Sequence, residues 1–177
     1  MVDASGSTIV MSLEVRSLTD SQTMVEAARA LVAASGKRRR VVGVITASVE
    51  ARQELIRLAR AVSSTPEPRE LDMLLTVSEQ IACSLLAMAI TKHGATAASL
   101  TGGQAGICTT NEHGGAEIIE IRPQRIEAAL ARGCIALVPG SQGVSPAGDI
   151  TTLGARSLRG MAALLDAALC AGGRAAA

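Results

Sequence analysis

Apolar and polar positions alternate along this chain in two periods, and the periods take turns. Residues 7–15, "STIVMSLEV", read as a strand, and residues 20–36, "DSQTMVEAARALVAASG", read as a helix. In that helix Met24, Ala27, Ala28, Leu31 and Val32 share a face, Asp20 or Ser21 is the N-cap and Gly36 the C-cap. The continuous β-branched run "RVVGVITAS" at 40–48 predicts a strand covered on both faces. "EARQELIRLARAV" at 50–62 predicts an amphipathic helix, and the two prolines of "SSTPEP" at 63–68 predict a loop. Residues 70–94 predict a long helix whose second half is apolar on every side, hence a buried central one. Strands are expected at 96–102, 116–121 and 134–140, and a helix from Pro123. A loop is expected at 141–149, then a last helix from Ser157. Strands alternating with helices over short connections predict an α/β domain with a mainly parallel sheet. In open sheets of that kind ligands gather at the carboxyl ends of the strands, here near residues 12–17, 46–52, 101–113 and 140–159.

Composition narrows the function. A length of 177 residues suits one domain with a sizeable core. Hydrophobic content of 48% with 19% charged residues suits a soluble globular protein rather than a disordered one. A net charge of +1 gives no electrostatic case for nucleic acid or membrane, so neither is an expected partner. The apolar stretch at 81–90 is too short to span a bilayer, and the first residues lack the pattern of a secretory leader. Cys83, Cys108, Cys134 and Cys170 are scattered without metal-ligand spacing, so reduced thiols in the cytoplasm are expected, with no metal and no cofactor. The chain has no Phe, Tyr or Trp, so its core must be aliphatic and no ring can stack on a nucleobase.

The block 68–110, "PRELDMLLTVSEQIACSLLAMAITKHGATAASLTGGQAGICTT", is followed by "HGGAEIIEI", "GSQGV" and "GDITTLG". In that order and spacing these motifs resemble bacterial aspartokinases of the amino-acid-kinase family. The likeness is high over residues 65–154 and weaker from residue 9 onward. It implies a three-layer sandwich of the amino-acid-kinase type and phosphoryl transfer from ATP to the side-chain carboxylate of aspartate, a reaction made mostly of positioning and charge neutralisation. It also implies that residues 1–177 make a single N-terminal half-domain, with the family's nucleotide-holding half and regulatory domains left out.

Three turns depart from the family pattern. Where the family opens with Lys-Phe-Gly-Gly-Thr-Ser, this chain has Ser12, Leu13, Glu14, Val15, Arg16 and Ser17, so only the serine remains. A carboxylate at Glu14 repels phosphate, and Val15 hinders the close backbone approach that glycine permits. The family's Ser-Ala-Met-Gly turn reads "TASVEAR", with Thr46 kept, Val49 for glycine and Arg52 at the substrate threonine. The family's Thr-Thr-Leu-Gly-Arg-Gly-Gly-Ser-Asp becomes "TTLGARSLR", with Ala155 for the substrate arginine and Arg156 and Arg159 as new cations. These three losses predict that ATP-dependent transfer is gone from this chain.

The retained positions carry the alternative chemistry. Glu79 matches a family pocket glutamate and is expected to act as an ionised carboxylate in the first turn of its helix; the plain alternative is a helix-capping charge. His113 is expected as a general base or donor, or else as a loop histidine bonded to its own turn. Thr101, Gln104 and Gln142 offer hydrogen bonds to a ligand, while Arg52, Arg156 and Arg159 offer either bidentate anion contacts or a solvated rim. With Ser17 and Thr46, these define a pocket for a small molecule. The expected function is acid–base chemistry on such a molecule. The alternatives are a non-catalytic metabolite-binding or partner subunit, and an aspartate kinase completed by a second chain. A homo-oligomer or a partner chain is expected to cover bare apolar surface.

Overall fold

The computed structural model describes residues 7–16, 20–36, 39–171 and 175–176. In chain order the elements are β1 (Thr8–Val15), α1 (Ser21–Ser35), β2 (Arg40–Ala47), α2 (Val49–Val62), α3 (Pro68–Lys92), β3 (Ala97–Ser99) and β4 (Ile107–Thr109). There follow β5 (Ile118–Ile121), α4 (Gln124–Ala131), β6 (Ile135–Pro139), β7 (Gln142–Val144), β8 (Ile150–Thr152), α5 (Ala155–Cys170) and β9 (Ala175–Ala176).

Four strands form an all-parallel sheet in the order β1-β2-β6-β3. Side-chain alternation along its central strands divides the core. Val41 and Ile45 of β2, with Ile135 and Leu137 of β6, meet Met24, Ala28 and Leu31 of α1 and Ala82, Cys83, Leu86 and Ile90 of α3. Val42, Val44, Ala136 and Val138 point the other way, toward Ile126 and Ala129 of α4 and Met161 and Leu165 of α5. Helices on both faces of a parallel sheet make the α/β domain expected from the periodicities and the three-layer sandwich that the family resemblance implies. Each fully buried aliphatic side chain contributes about 1.5–3 kcal/mol, and these cores contain no aromatic ring.

Local signals explain most boundaries. The Asp20 carboxylate accepts the Thr23 hydroxyl at 2.6 Å and the Gln22 and Thr23 amides at 3.0 and 3.4 Å and so starts α1; the hydroxyl first, then the amides, hold its pKa below the ordinary carboxylate value. Ser48 caps α2 by accepting the Ala51 amide at 3.2 Å. Pro68 occupies the first turn of α3, where a missing N–H costs nothing. Gly36 does close α1, but at φ −58°, outside the left-handed region.

Three expectations need correction. The parallel description holds for the first sheet only. A second sheet, β8-β7-β4-β5-β9, is mixed, with β4 and β7 parallel and the other pairs antiparallel. Its strands β4 and β7 fall where no strand was expected, because each is only three residues long, Ile-Cys-Thr and Gln-Gly-Val, too short to show a period of two. Helix α5 begins at Ala155 rather than Ser157, so Arg156 lies in its first turn. Finally, α3 is buried on one face only: Met73, Val77, Ile81, Leu85 and Met88 are exposed. By length and composition α3 is long and apolar enough to cross a membrane, yet its other face packs on the sheet and carries buried Asp72, Thr76 and Glu79.

Candidate functional site

The polar line on α3 organises the carboxyl ends of the strands. Glu79 is the twelfth residue of α3, so the helix's free N-terminal amides do not reach it, contrary to its expected place in a first turn. Its donors come from strand ends instead. One carboxylate oxygen accepts the Ser141 amide at 2.9 Å, at the turn between β6 and β7, and the other accepts the Ala47 amide at 3.4 Å, where β2 ends. The side chain is buried, and desolvation pushes its pKa above the ordinary carboxylate value. The two amides and the positive charge of Arg52 pull the other way without offsetting the burial. Arg52 is half-buried in the first turn of α2, so the substitution at the old threonine position places a cation within electrostatic reach of Glu79.

Two turns toward the start of α3, about 10 Å along the axis, lies a group that the sequence reading missed. Asp72 is buried and accepts three kinds of donor. The Gly114 amide lies 3.1 Å from both carboxylate oxygens, His113 Nδ1 lies 2.8 Å from Oδ2, and the Thr152 hydroxyl donates to Oδ1. His113 is therefore bonded neither to its own turn nor beside Glu79. Asp72 orients its ring, and its side chain stays 22% exposed while that of Asp72 is 1% exposed. The available signal was an acidic residue at the i−7 position from Glu79 on an otherwise apolar helix face.

Other predicted residues divide between site and scaffold. Thr101 and Gln104 satisfy each other: the Thr101 amide donates to Gln104 Oε1, and the Gln104 amide to Thr101 Oγ1, each at 3.1 Å. They close a turn rather than face a ligand. Gln142 is buried, and its Oε1 accepts the Gly102 amide at 2.6 Å. Its Nε2 is buried with no hydrogen-bond partner among the described residues. A Cβ at Gly102 would stand 2.3 Å from the Gln142 carbonyl oxygen, so this contact requires glycine. Thr46 packs its methyl group against Gly140, where an added Cβ would come within 2.5 Å.

The cations at the third altered turn lie elsewhere. Arg156 is exposed and pairs with Glu117 at 2.6 Å on the rim of an open groove of about 520 Å³, also lined by Ile118, Ser157 and Leu164. Arg159 is exposed on the same helix. The hydroxyls of this turn face inward: Thr151 bonds Thr109 at 2.7 Å and Thr152 bonds Asp72. Ser17 lies outside the described residues.

The first altered turn has become strand. β1 stays in parallel register with β2 through Glu14↔Thr46 and Val15↔Ala47, with Glu14 exposed and Val15 buried. The Val15 carbonyl accepts the Ser48 amide at 3.1 Å, and the Ser48 hydroxyl donates to the Arg16 carbonyl at 3.3 Å. In the second altered turn Ser48 caps α2, and Val49 takes the first helical position. Among the cysteines, Cys83 is buried and its thiol is pushed up to about 12 by desolvation, and Cys108 is half-buried with its sulfur 3.7 Å from the Gly106 carbonyl.

A parallel sheet between helix layers, a second mixed sheet at its carboxyl edge and a buried glutamate joining the two define an α/β small-molecule kinase fold. The amino acid kinase family model matches residues 7–171, and the chain belongs to that family. It is 44% identical over 159 residues to the aspartokinase of Mycolicibacterium smegmatis, covering 87% of this chain and 38% of that one. It is 46% identical over 129 residues to the aspartokinase of Geobacillus stearothermophilus, covering 73% of this chain and 32% of that one. Among solved structures, aspartate kinase from Synechocystis superposes with a TM-score of 0.75 at 30% identity, over 93% of this chain and 26% of that chain. E. coli aspartokinase III in complex with aspartate and ADP superposes with a TM-score of 0.73 at 19% identity, a likeness of fold. The chain spans 38% and 32% of the two relatives and 26% and 47% of the two solved chains, less than half of each.

Proposed function

We propose that this chain binds a small amino-acid-like molecule beside Glu79, does not itself transfer phosphoryl groups from ATP, and turns the pocket to other chemistry on that molecule. The observation that carries this reading is the state of the backbone at residues 14 and 15. A phosphate cradle needs free amides, small residues and a cation. Here the segment is paired strand, with a carboxylate at Glu14 and a buried branched side chain at Val15.

The pocket side of the reading rests on Glu79, on Arg52 within its electrostatic reach, and on Gln142, the residue after the Ser141 whose amide Glu79 accepts. Glu79 keeps lone pairs for a ligand ammonium after accepting two amides. Gln142 Nε2 is a buried donor without a partner among the described residues, which costs free energy until an acceptor such as a carboxylate oxygen arrives. Arg52 supplies a cation for the same carboxylate. Because burial favours its protonated form, Glu79 can give or take a proton nearer neutrality than an ordinary carboxyl. His113, two helical turns away on Asp72, is too distant to act on the same atom and is read as a separate donor at the rim.

Thermal unfolding with added ligands tests the reading, since a ligand of the native state raises Tm by mass action. L-aspartate or another small amino dicarboxylate at millimolar concentration raises Tm, Glu79→Gln abolishes the rise, and ATP with magnesium leaves Tm unchanged. A rise with ATP–magnesium overturns it. A second reading, a kinase half completed by another chain, draws on the aspartokinase relatives. It predicts aspartate-dependent ADP release only when a nucleotide-binding partner is added.

A further inference from the structure

The β7–β8 hairpin brings Ser141 and Gln142 to the Glu79 pocket, yet it has little structure of its own. Each strand is three residues long, and β8 is the edge of the second sheet, bonded in the ladder to β7 alone. A two-stranded hairpin of that size is marginal in water by itself, so its place is fixed from outside. Helix α3 fixes it at three points. At the turn, Arg69 pairs with Asp149 at 2.8 Å in an exposed contact. At the end of β8, the Thr152 hydroxyl donates to buried Asp72. Just before β7, the Ser141 amide donates to buried Glu79 at 2.9 Å.

The two buried points form one unit. Thr152 lies opposite Gln142 in the ladder, and the Leu153 amide donates to the Ser141 carbonyl at 2.9 Å. Asp72 and Glu79 stand two turns apart on the buried face of α3, about 10 Å along the axis. The bonds close a ring that runs from Asp72 to Thr152, across the hairpin to Ser141, on to Glu79 and back through the helix. With the ring open at Thr152, the hairpin can pivot on α3 and carry the Ser141 amide and the Gln142 side chain with it. The exposed Arg69–Asp149 pair resists that motion weakly, whereas a hydroxyl on a buried carboxylate is strong and directional.

We propose that Asp72 is a positioning residue for the Glu79 pocket. Through Thr152 it sets the β7–β8 hairpin on α3, so that the Ser141 amide stays on the Glu79 carboxylate. Gln142 is then held with its Oε1 on the Gly102 amide and its Nε2 left for a ligand. The proposal rests on the reading of Glu79 and Gln142 as a binding site. Asp72 itself touches no ligand, because the Gly114 amide and the His113 ring fill its remaining acceptor positions. An apolar side chain would be easier to bury at this place, but it would give the hairpin no fixed register on the helix.

Two readouts on the purified chain test this: calorimetric titration with L-aspartate, and the Ser141 amide resonance in a nitrogen-correlated NMR spectrum, which needs no ligand. Thr152→Val removes the hydroxyl at nearly constant shape. It is expected to weaken L-aspartate binding about tenfold and to move the Ser141 resonance. Thr152→Ser keeps the hydroxyl and is expected to match wild type in both, as is Arg69→Ala at the turn of the same hairpin. Asp72→Asn, expected to act in the direction of Thr152→Val, decides if Thr152→Val does not fold. An unchanged affinity or an unmoved Ser141 resonance in Thr152→Val overturns the proposal. So does an equal loss in Thr152→Ser or in Arg69→Ala. If wild type does not bind L-aspartate, the pocket reading fails and the Ser141 resonance decides alone. Movement in Thr152→Val but not in Thr152→Ser then supports the positioning role, and constancy overturns it.

Discussion

Two regions at the carboxyl ends of the strands use their backbone amides in opposite ways. At the end of β1 and the start of α2, the backbone is spent on regular structure: residues 14 and 15 stay in the ladder and Ser48 caps a helix. Around α3 the amides converge. Ala47 and Ser141 point at Glu79, and Gly114 points at Asp72, joined there by His113 and Thr152. The first region bears two of the three altered turns, and the second holds Gly102, Gly106 and Gly143 against backbone or side chains at under 2.5 Å from a notional Cβ.

That contrast can be broken by mutation, beginning where the effect is largest. Gly106 combines φ +80° with a notional Cβ 1.9 Å from the Arg122 carbonyl oxygen. Gly106→Ala is expected to abolish soluble expression or lower Tm by more than 10 °C, because both the conformation and the contact are forbidden. A Tm within 3 °C of wild type contradicts the convergence of β4 and β5 at this point. Asp72→Ala strands the Gly114 amide, the Thr152 hydroxyl and the His113 ring, and about 3–5 kcal/mol of loss in chemical denaturation is expected. Asp72→Asn should lose less, since it keeps acceptor capacity for two of the three.

Glu79→Gln sharpens the comparison through pH. Burial raises the folded-state pKa of Glu79 above its unfolded value, so the folded state binds the extra proton. The favourable contribution is complete below the unfolded value and is lost as pH rises through the folded one. The Tm of Glu79→Gln minus that of wild type should therefore grow as pH increases from about 4.5, and a flat difference would show the carboxylate to be comfortably ionised. The smallest effect belongs to the altered region. Glu14 is exposed in β1, and Glu14→Ala should change stability by less than about 0.5 kcal/mol by urea titration.

Residues whose role is set by neighbours in sequence were legible. The strand at 40–48, the capping of α1 by Asp20 and the aliphatic two-sided core follow from local period and side-chain chemistry. Glu79 and Gln142 were singled out by position in the chain, and the structure buries both. Asp72 was missed because its partners lie 41, 42 and 80 residues away, a separation no local period encodes. Glu79 was placed in a first turn from the family motif, against the helical period that already ran from residue 70; Pro68 opens α3, with Glu79 its twelfth residue. The exposed stripe of α3 escaped because an all-round apolar helix reads as buried whether the cover comes from its own chain or another.

The central claim is that residues 12–17 no longer hold a triphosphate. Isothermal titration of ATP–magnesium into the purified chain tests it most directly. The account predicts no saturable heat up to millimolar nucleotide, with or without aspartate. A stoichiometric isotherm that Glu14→Lys strengthens and Ser12→Glu removes would contradict it.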